Sequence, residues 1–402
     1  MIFSLIFYVF AQDPSWEVRK DPLREGLSLY THIVPNTKMI SVMFRYRLFD
    51  DFPDGSAHFV EHLMFAYRDQ EQTYDQILEN IGGESQGRTD LATIKLNVRI
   101  PIESWNAWVQ LERNRQEFVC NNIEDDIFES QRMVIVQEYM QGMTSLKRAY
   151  AQELRESVFG NRELGRSVIG SIDDISDWSK EQICAYMNRI IVRASVDVFV
   201  VGDIGGIDVG HDIQTIFSTH RRAEVVPVEE QKFTLSQIEH TGTQETLYIL
   251  WPIPDQIHDD TILLRYWMLM MTHTRFGVLH KNGIQARGWM EYGSQGGYLL
   301  LHVQGKKVSD LERDIRDHMY GLGGWMTVWR YASLVSKVYH RSVIHSWKTL
   351  DGRLLWLEQC LQEDALATCF EIRDDFSNRD LDRVKKQWLR WDQASTLRVV
   401  SP

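Results

Sequence analysis

The chain has 402 residues, a formal net charge of −12, and a composition that is 44% apolar, 11% aromatic and 25% charged. These proportions are those of a packed protein of about two domains, and they exclude a low-complexity or disordered chain. The acidic balance argues against nucleic acid as a partner, because phosphate-binding surfaces are basic, and it suits a basic peptide.

Met1 to Ala11 is apolar but shorter than the roughly 20 residues that a membrane-spanning helix needs. It lacks the basic start of a secretory signal and the arginines of a mitochondrial presequence, so a signal-like segment, an N-terminal strand and an uncleaved targeting element all remain open. No transmembrane segment is expected. Period-2 apolar patterns at Leu27–Thr31 and Ile40–Tyr46 then read as strands.

Ser56 to Tyr67 reads as a helix containing His58-Phe59-Val60-Glu61-His62. At helical spacing the two histidines share one face and Glu61 stands beside them. An H-x-x-E-H order supplies two imidazole ligands and one carboxylate free to act as a base. A catalytic zinc ion takes three protein ligands and keeps a position for water, so a third donor must come from elsewhere. Glu138 is the candidate, 138 − 62 = 76 positions beyond the second histidine. The stretch Arg132–Tyr139 reads as a largely buried helix carrying one carboxylate, which is costly unless paired or metal-bound.

Between these, Gln72–Ile81 reads as a helix closed by Gly82-Gly83, and Thr89–Val98 as a half-buried strand. The four cysteines, Cys120, Cys184, Cys360 and Cys369, show no C-x-x-C spacing and read as buried reduced thiols, favouring a reducing compartment. Ser179 and Gln182 fit a capping box that opens a helix running into the strand Val196–Gly202. A helical stretch ends at His220, and Arg221–Val228 reads as a link. Beyond it come the strand Thr246–Trp251, a helix from Asp259 to about Thr272, and tryptophans such as Trp325 and Trp329 at core-like helical spacing. His340 and His345 lack a carboxylate at ligand spacing and read as ordinary histidines. Near the end, Asn378 opens a helix that runs into Thr396–Ser401. It aligns without a gap on the earlier helix and strand, since 378 − 179 = 199 and 399 − 200 = 199. The two halves therefore read as similar α/β domains, at 14–222 and 223–402.

Ala57-His-Phe-Val-Glu-His-Leu-Met-Phe65, the Glu138 spacing, and Leu164-Gly-Arg-Ser-Val-Ile-Gly170 leading into Ile175-Ser176 together resemble the pitrilysin-type inverzincin peptidases, and among them the processing-peptidase branch. The resemblance implies an α/β fold of the α+β type. In it two homologous repeats, each a mixed β-sheet covered by helices, face each other across a cleft. It implies one Zn²⁺ on His58, His62 and Glu138, with Glu61 as the catalytic base. Gln131 stands where the family commonly has a glutamate, seven positions before the ligand, so the histidine–metal unit gains no second negative charge. The strand after Gly83 implies an edge beside the metal that holds a peptide by strand addition, with Gln86 and Thr89 as substrate contacts. Arg148 and Gln152 occupy places where β-type relatives carry acids that pair with a substrate arginine, so the demand for that arginine is expected to be weaker. In the second repeat Arg275 is followed by Gly283-Ile284-Gln285-Ala286, without the tyrosine of full endopeptidase pockets; Tyr292 is the nearest substitute.

The function so implied is a zinc endopeptidase that removes basic N-terminal targeting presequences from imported precursors, alone or as a heterodimer with a related subunit. The implied place is the matrix of a mitochondrion or mitochondrion-derived organelle. The alternatives are a non-catalytic subunit, like the core proteins of the cytochrome bc1 complex, and a broader-specificity peptidase of the same family.

Overall fold

The computed structural model describes residues 18–48, 52–143, 146–221, 232–254, 260–274, 277–293, 296–320, 347–361 and 378–401, with 337, 338, 341 and 345. The segment 1–11, most of the 221–228 link, Arg275, Trp325, Trp329, His340 and Cys369 lie outside them. Among the described residues no helix is long and apolar enough to cross a membrane.

The strands are β1 (Val18–Arg24), β2 (Leu27–Ile33), β3 (Met39–Arg47), β4 (Glu84–Thr89), β5 (Thr93–Pro101), β6 (Val196–Gly202), β7 (Gln237–Thr241), β8 (Thr246–Ile253), β9 (Gln285–Gly293), β10 (Gly296–Gln304) and β11 (Ser395–Val400). The main helices are α1 (Ser56–Phe65), α2 (Tyr74–Asn80), α3 (Trp105–Glu117), α4 (Asp125–Met143), α5 (Leu146–Phe159), α6 (Ile172–Asp177), α7 (Lys180–Arg193), α8 (Val209–Ile216), α9 (Thr261–Thr272), α10 (Val278–Lys281), α11 (Val308–Tyr320), α12 (Leu350–Leu361) and α13 (Asn378–Trp388). The expected capping box is present at Ser179, and a second one at Thr73 and Gln76 opens α2.

Two mixed sheets form. The first has the order β1-β2-β6-β3-β5-β4, the second β9-β10-β8-β11-β7. In the first, β6 runs parallel to β2 and antiparallel to β3. In the second, β11 runs parallel to β7 and antiparallel to β8. The registers agree as well: Val200 lies between Thr31 and Val42, and Val399 lies between His240 and Thr246. The interval 399 − 200 = 199 is the sequence offset between the halves, so the gapless alignment corresponds to one topology built twice.

Each sheet buries one apolar face. Val42, Phe44, Leu96, Val98 and Val198 pack under α1, α3 and α7, while Leu247, Ile249, Trp251 and Leu301 pack against Leu264, Trp267 and Met270 of α9. The other faces carry polar and aromatic groups that also need cover. The first sheet receives α12: Asp351 accepts from Ser41 Oγ at 2.6 Å, Glu358 meets Lys95 Nζ at 2.6 Å, and Trp347 stands edge-on to His32. The second receives α5: Tyr150 stacks on His240 at 5.2 Å and Glu153 meets His240 Nε2 at 2.9 Å.

The compact units are consequently not the contiguous halves 14–222 and 223–402. One comprises Met1–Tyr139, Val168–Val226 and Ser346–Gln359, the other Met140–Ser167, Pro227–His345 and Cys360–Pro402. The chain change at Val226 lies near the expected link, but each unit also takes one helix from the other half of the sequence.

Three expectations are corrected. The edge strand is β4, residues 84–89, whereas Thr93–Pro101 is internal, paired on both sides by β3 and β4. Cys120 and Cys184 form a disulfide with Cα atoms 5.3 Å apart, so they are not reduced thiols; chain folding joins positions 64 apart that no local spacing announces. Finally, α4 is not largely buried. Ile135 is fully enclosed, yet Met133 and Met140 are each 55% exposed and Glu138 is exposed too.

Candidate metal centre

The helix that carries the histidines is fixed at its start by glycine. Gly55, its N-cap, takes a left-handed φ of 77°, and a Cβ there would lie 2.7 Å from the Ile169 carbonyl oxygen. Only a residue without a side chain allows the helix start to rest on the Ile169-Gly170 backbone. Ala57, Phe59, Val60, Leu63 and Met64 are buried, so α1 is enclosed except along the stripe that contains His58 and His62.

The second helix, α4, is docked onto α1 by ring stacking. Phe59 and Phe128 lie 4.8 Å apart and nearly parallel. The Arg132 guanidinium covers both rings, at 5.6 and 5.1 Å, and donates to the carbonyls of Ile175, Ser176 and Trp178. This clamp was not read from the sequence; its only trace there was the Ile175-Ser176 pair. Phe128 fixes the helix one turn ahead of Gln131 and almost three turns ahead of Glu138, so both face His62.

Glu138 Oε2 lies 3.5 Å from His58 Nε2 and 3.7 Å from His62 Nε2. The donor atoms of all three residues fall within 4.8 Å of one another, and among the described residues no other such group of histidines, cysteines and carboxylates occurs. Donors on tetrahedral zinc bonds of about 2.0–2.1 Å would be about 3.3 Å apart, so this triangle is of the right size for that ion. Burial, and then the neighbouring His62, hold His58 down to about 4, so near neutral pH its imidazole is unprotonated and able to bind metal. His62 Nδ1 lies 3.2 Å from Gln131 Oε1 and donates to it when protonated, which leaves Nε2 with its lone pair directed at Glu138. His58 Nδ1 is buried without a hydrogen-bond partner among the described residues. Two neutral imidazoles, a carboxylate and an open fourth direction suit zinc.

Glu61 is 9% exposed. Burial raises its pKa, while a hydrogen bond from Thr89 and the His62 charge oppose the rise. The Thr89 hydroxyl donates to Glu61 Oε2 at 2.6 Å. Gln86 is three residues earlier on β4 and so faces the opposite side of the sheet, in register with Asn97. Arg148 and Gln152 belong to α5 in the second unit. The Gln152 amide donates to Glu156 Oε1 at 2.7 Å and to the Gly165 carbonyl at 3.0 Å, and its oxygen accepts from Arg155. The first unit thus brings together His58, His62, Glu138, Glu61, Gln131 and Thr89, and leaves Gln86 on the other face of β4.

Residues 50–171 match the family model for insulinase, peptidase family M16. The chain is 21% identical over 185 residues to the mitochondrial-processing peptidase subunit beta of Dictyostelium discoideum, and 23% identical over 160 residues to that of Neurospora crassa. Those matches cover 44% and 39% of this chain but only 38% and 32% of the relatives, so less than half of each relative's length is spanned. Among solved structures, a protease from Helicobacter pylori superposes with a TM-score of 0.82 at 17% identity, covering 96% of this chain and 99% of that one. The peptidase M16 inactive domain from Pseudomonas fluorescens gives 0.82 at 10% identity, covering 96% and 98%. A chain of complex III2 from Candida albicans gives 0.73 at 11% identity, covering 95% and 96%. These likenesses establish the fold across nearly the whole length. The segment that matches the insulinase, M16, model, residues 50–171, contains both histidines and Glu138.

Proposed function

We propose that this protein is a zinc-dependent endopeptidase that removes basic N-terminal targeting segments from precursor proteins. The observation that carries the reading is the convergence of His58, His62 and Glu138 beside a buried carboxylate, Glu61, that is not itself part of the triangle. When bound there, zinc would supply Lewis-acid polarisation of the scissile carbonyl and make a water more acidic, toward a pKa of about 7. Glu61 accepts the proton of the attacking water and passes it to the leaving amine, a role to which a raised pKa is suited. Gln131 fixes the orientation of the His62 ring. The side of β4 that no described strand pairs offers backbone groups along which an extended peptide can lie.

The relatives' names support a mitochondrial setting and a β-type role, and with it a partner subunit of the same family. The net charge of −12 supports a basic substrate. Arg148, where a paired acid is expected, weakens the requirement for arginine near the cut. A second reading, a structural subunit without catalysis, draws on the likeness to complex III2 and to an M16 inactive domain.

Glu61→Gln separates them. On the peptidase reading the purified protein binds one zinc ion and cleaves an arginine-containing presequence, alone or with a related subunit. The variant then keeps its zinc and loses cleavage by about two to four orders of magnitude. Cleavage by the variant at the wild-type rate sinks the role of Glu61, and zinc-loaded wild type that cleaves nothing with any partner favours the structural subunit.

A further inference from the structure

β4 presents two different surfaces. Its backbone is paired on one side by β5 and on the other by no described strand. Of its side-chain faces, the one carrying Ser85, Gly87 and Thr89 turns toward α1 and α2: Ser85 Oγ donates to Asp75 of α2, a Cβ on Gly87 would lie 2.2 Å from Glu61 Oε1 of α1, and Thr89 Oγ1 donates to Glu61 Oε2 at 2.6 Å. The carboxylate of Glu61 therefore lies flat against the strand, one oxygen over Gly87 and the other held by a hydroxyl. A glutamate has three rotatable side-chain bonds, and the hydrogen bonds on this carboxylate come from Thr89, through its hydroxyl and its backbone.

We infer that Thr89 is a positioning residue for Glu61, holding Oε2 so that Oε1 is the oxygen presented for proton transfer. The inference rests on the peptidase reading and deepens it. The hydroxyl expected to contact the substrate instead sets the aim of the base. Because the same six-residue strand offers its open edge to a peptide, pairing there stiffens the segment that bears Thr89, so occupancy of the edge and orientation of the base are linked through one strand.

Three variants test this, each in the full chain loaded with zinc: Thr89→Val, which keeps the shape and removes the hydroxyl; Thr89→Ser, which restores it; and Gln86→Ala on the opposite face. Zinc content, kcat, KM and the crystallographic order of the Glu61 side chain are read for each. Thr89→Val is expected to keep its zinc, lower kcat about 10- to 100-fold with KM within about threefold, and show Glu61 in more than one rotamer. Thr89→Ser is expected to return kcat to within about threefold of wild type and Glu61 to one rotamer. A rise in KM with kcat unchanged in Thr89→Val overturns the inference and makes Thr89 a substrate contact. If the wild type proves to cleave nothing, the peptidase reading fails by itself. The positioning claim is then decided by the crystals, and a single unchanged Glu61 rotamer in Thr89→Val refutes it.

Discussion

At the residue scale, the two imidazoles are supported unequally. His62 has Gln131 behind it at 3.2 Å, while His58 Nδ1 is buried with no hydrogen-bond partner among the described residues. An amide oxygen orients an imidazole but adds no charge, so the ring is a weaker donor than one backed by a carboxylate. Gln131→Glu should therefore tighten zinc binding by up to about 10- to 100-fold, the usual range for a group behind a ligand. Competition against a chelator of known affinity measures it, and unchanged affinity would count against this role. Why these residues were legible is plain: ligand histidines must be four apart on a helix, and the third donor and its support follow on one further helix. Thr89 resisted the same treatment. Its contact with Glu61 runs from strand to helix over 28 positions, and no periodicity predicts which hydroxyl a folded edge brings to a carboxylate.

At the scale of elements, α4 shows where an apolar pattern misleads. Met133-Val134-Ile135-Val136 reads as a core segment, yet the helix is held by a few contacts, chiefly Phe128 on Phe59 and the Arg132 clamp, with Ile135 enclosed. Burial is not what singles out Glu138, whose side chain is 44% exposed; its place beside the two imidazoles does. Just before α4, Cys120 is bonded to Cys184 of α7, closing a loop whose entropy alone is worth about 4 kcal/mol on the chain-entropy model. In the second sheet, β10 carries a titrating group of a different kind. His302 is 4% exposed, packed at 4.8 Å against Tyr248, and held down to about 4 by burial and by the Lys147 and Arg287 charges. The unfolded chain takes up this proton near 6.5, the folded chain only near 4. Between those values the unfolded state binds the extra proton. Stability is thus unaffected above pH 6.5 and falls as the pH drops toward 4, by about 3 kcal/mol in all. Denaturant melts of wild type and His302→Gln at pH 7 and pH 4.5 measure the effect, and the variant should lose less between them. Equal losses would show that other groups govern the acid limb.

For the whole molecule, the repeated helix-then-strand unit was readable because apolar periodicity and capping residues are local. The exchange of covering helices was not, because it is decided by which polar sheet face needs which partner. Asp351 and Glu358 answer Ser41, Arg99, Lys95 and Arg45, and Glu153 and Tyr150 answer His240 and Tyr248. Fragments 1–222 and 223–402 should then fail to fold alone, since each leaves a sheet face with buried charges or imidazoles open to water. Co-expressed, they should yield one soluble species with a cooperative thermal transition. A cooperative melt from either fragment by itself would contradict this.

The reciprocal loan of α5 and α12 also bears on how such a chain can change over time. A substitution at Glu358 falls in the second half of the gene but alters the sheet that carries Arg45 and Lys95. A recombination joint at the midpoint would give each sheet a foreign helix to accommodate. The two halves are therefore bound to a common inheritance, diverging together or not at all.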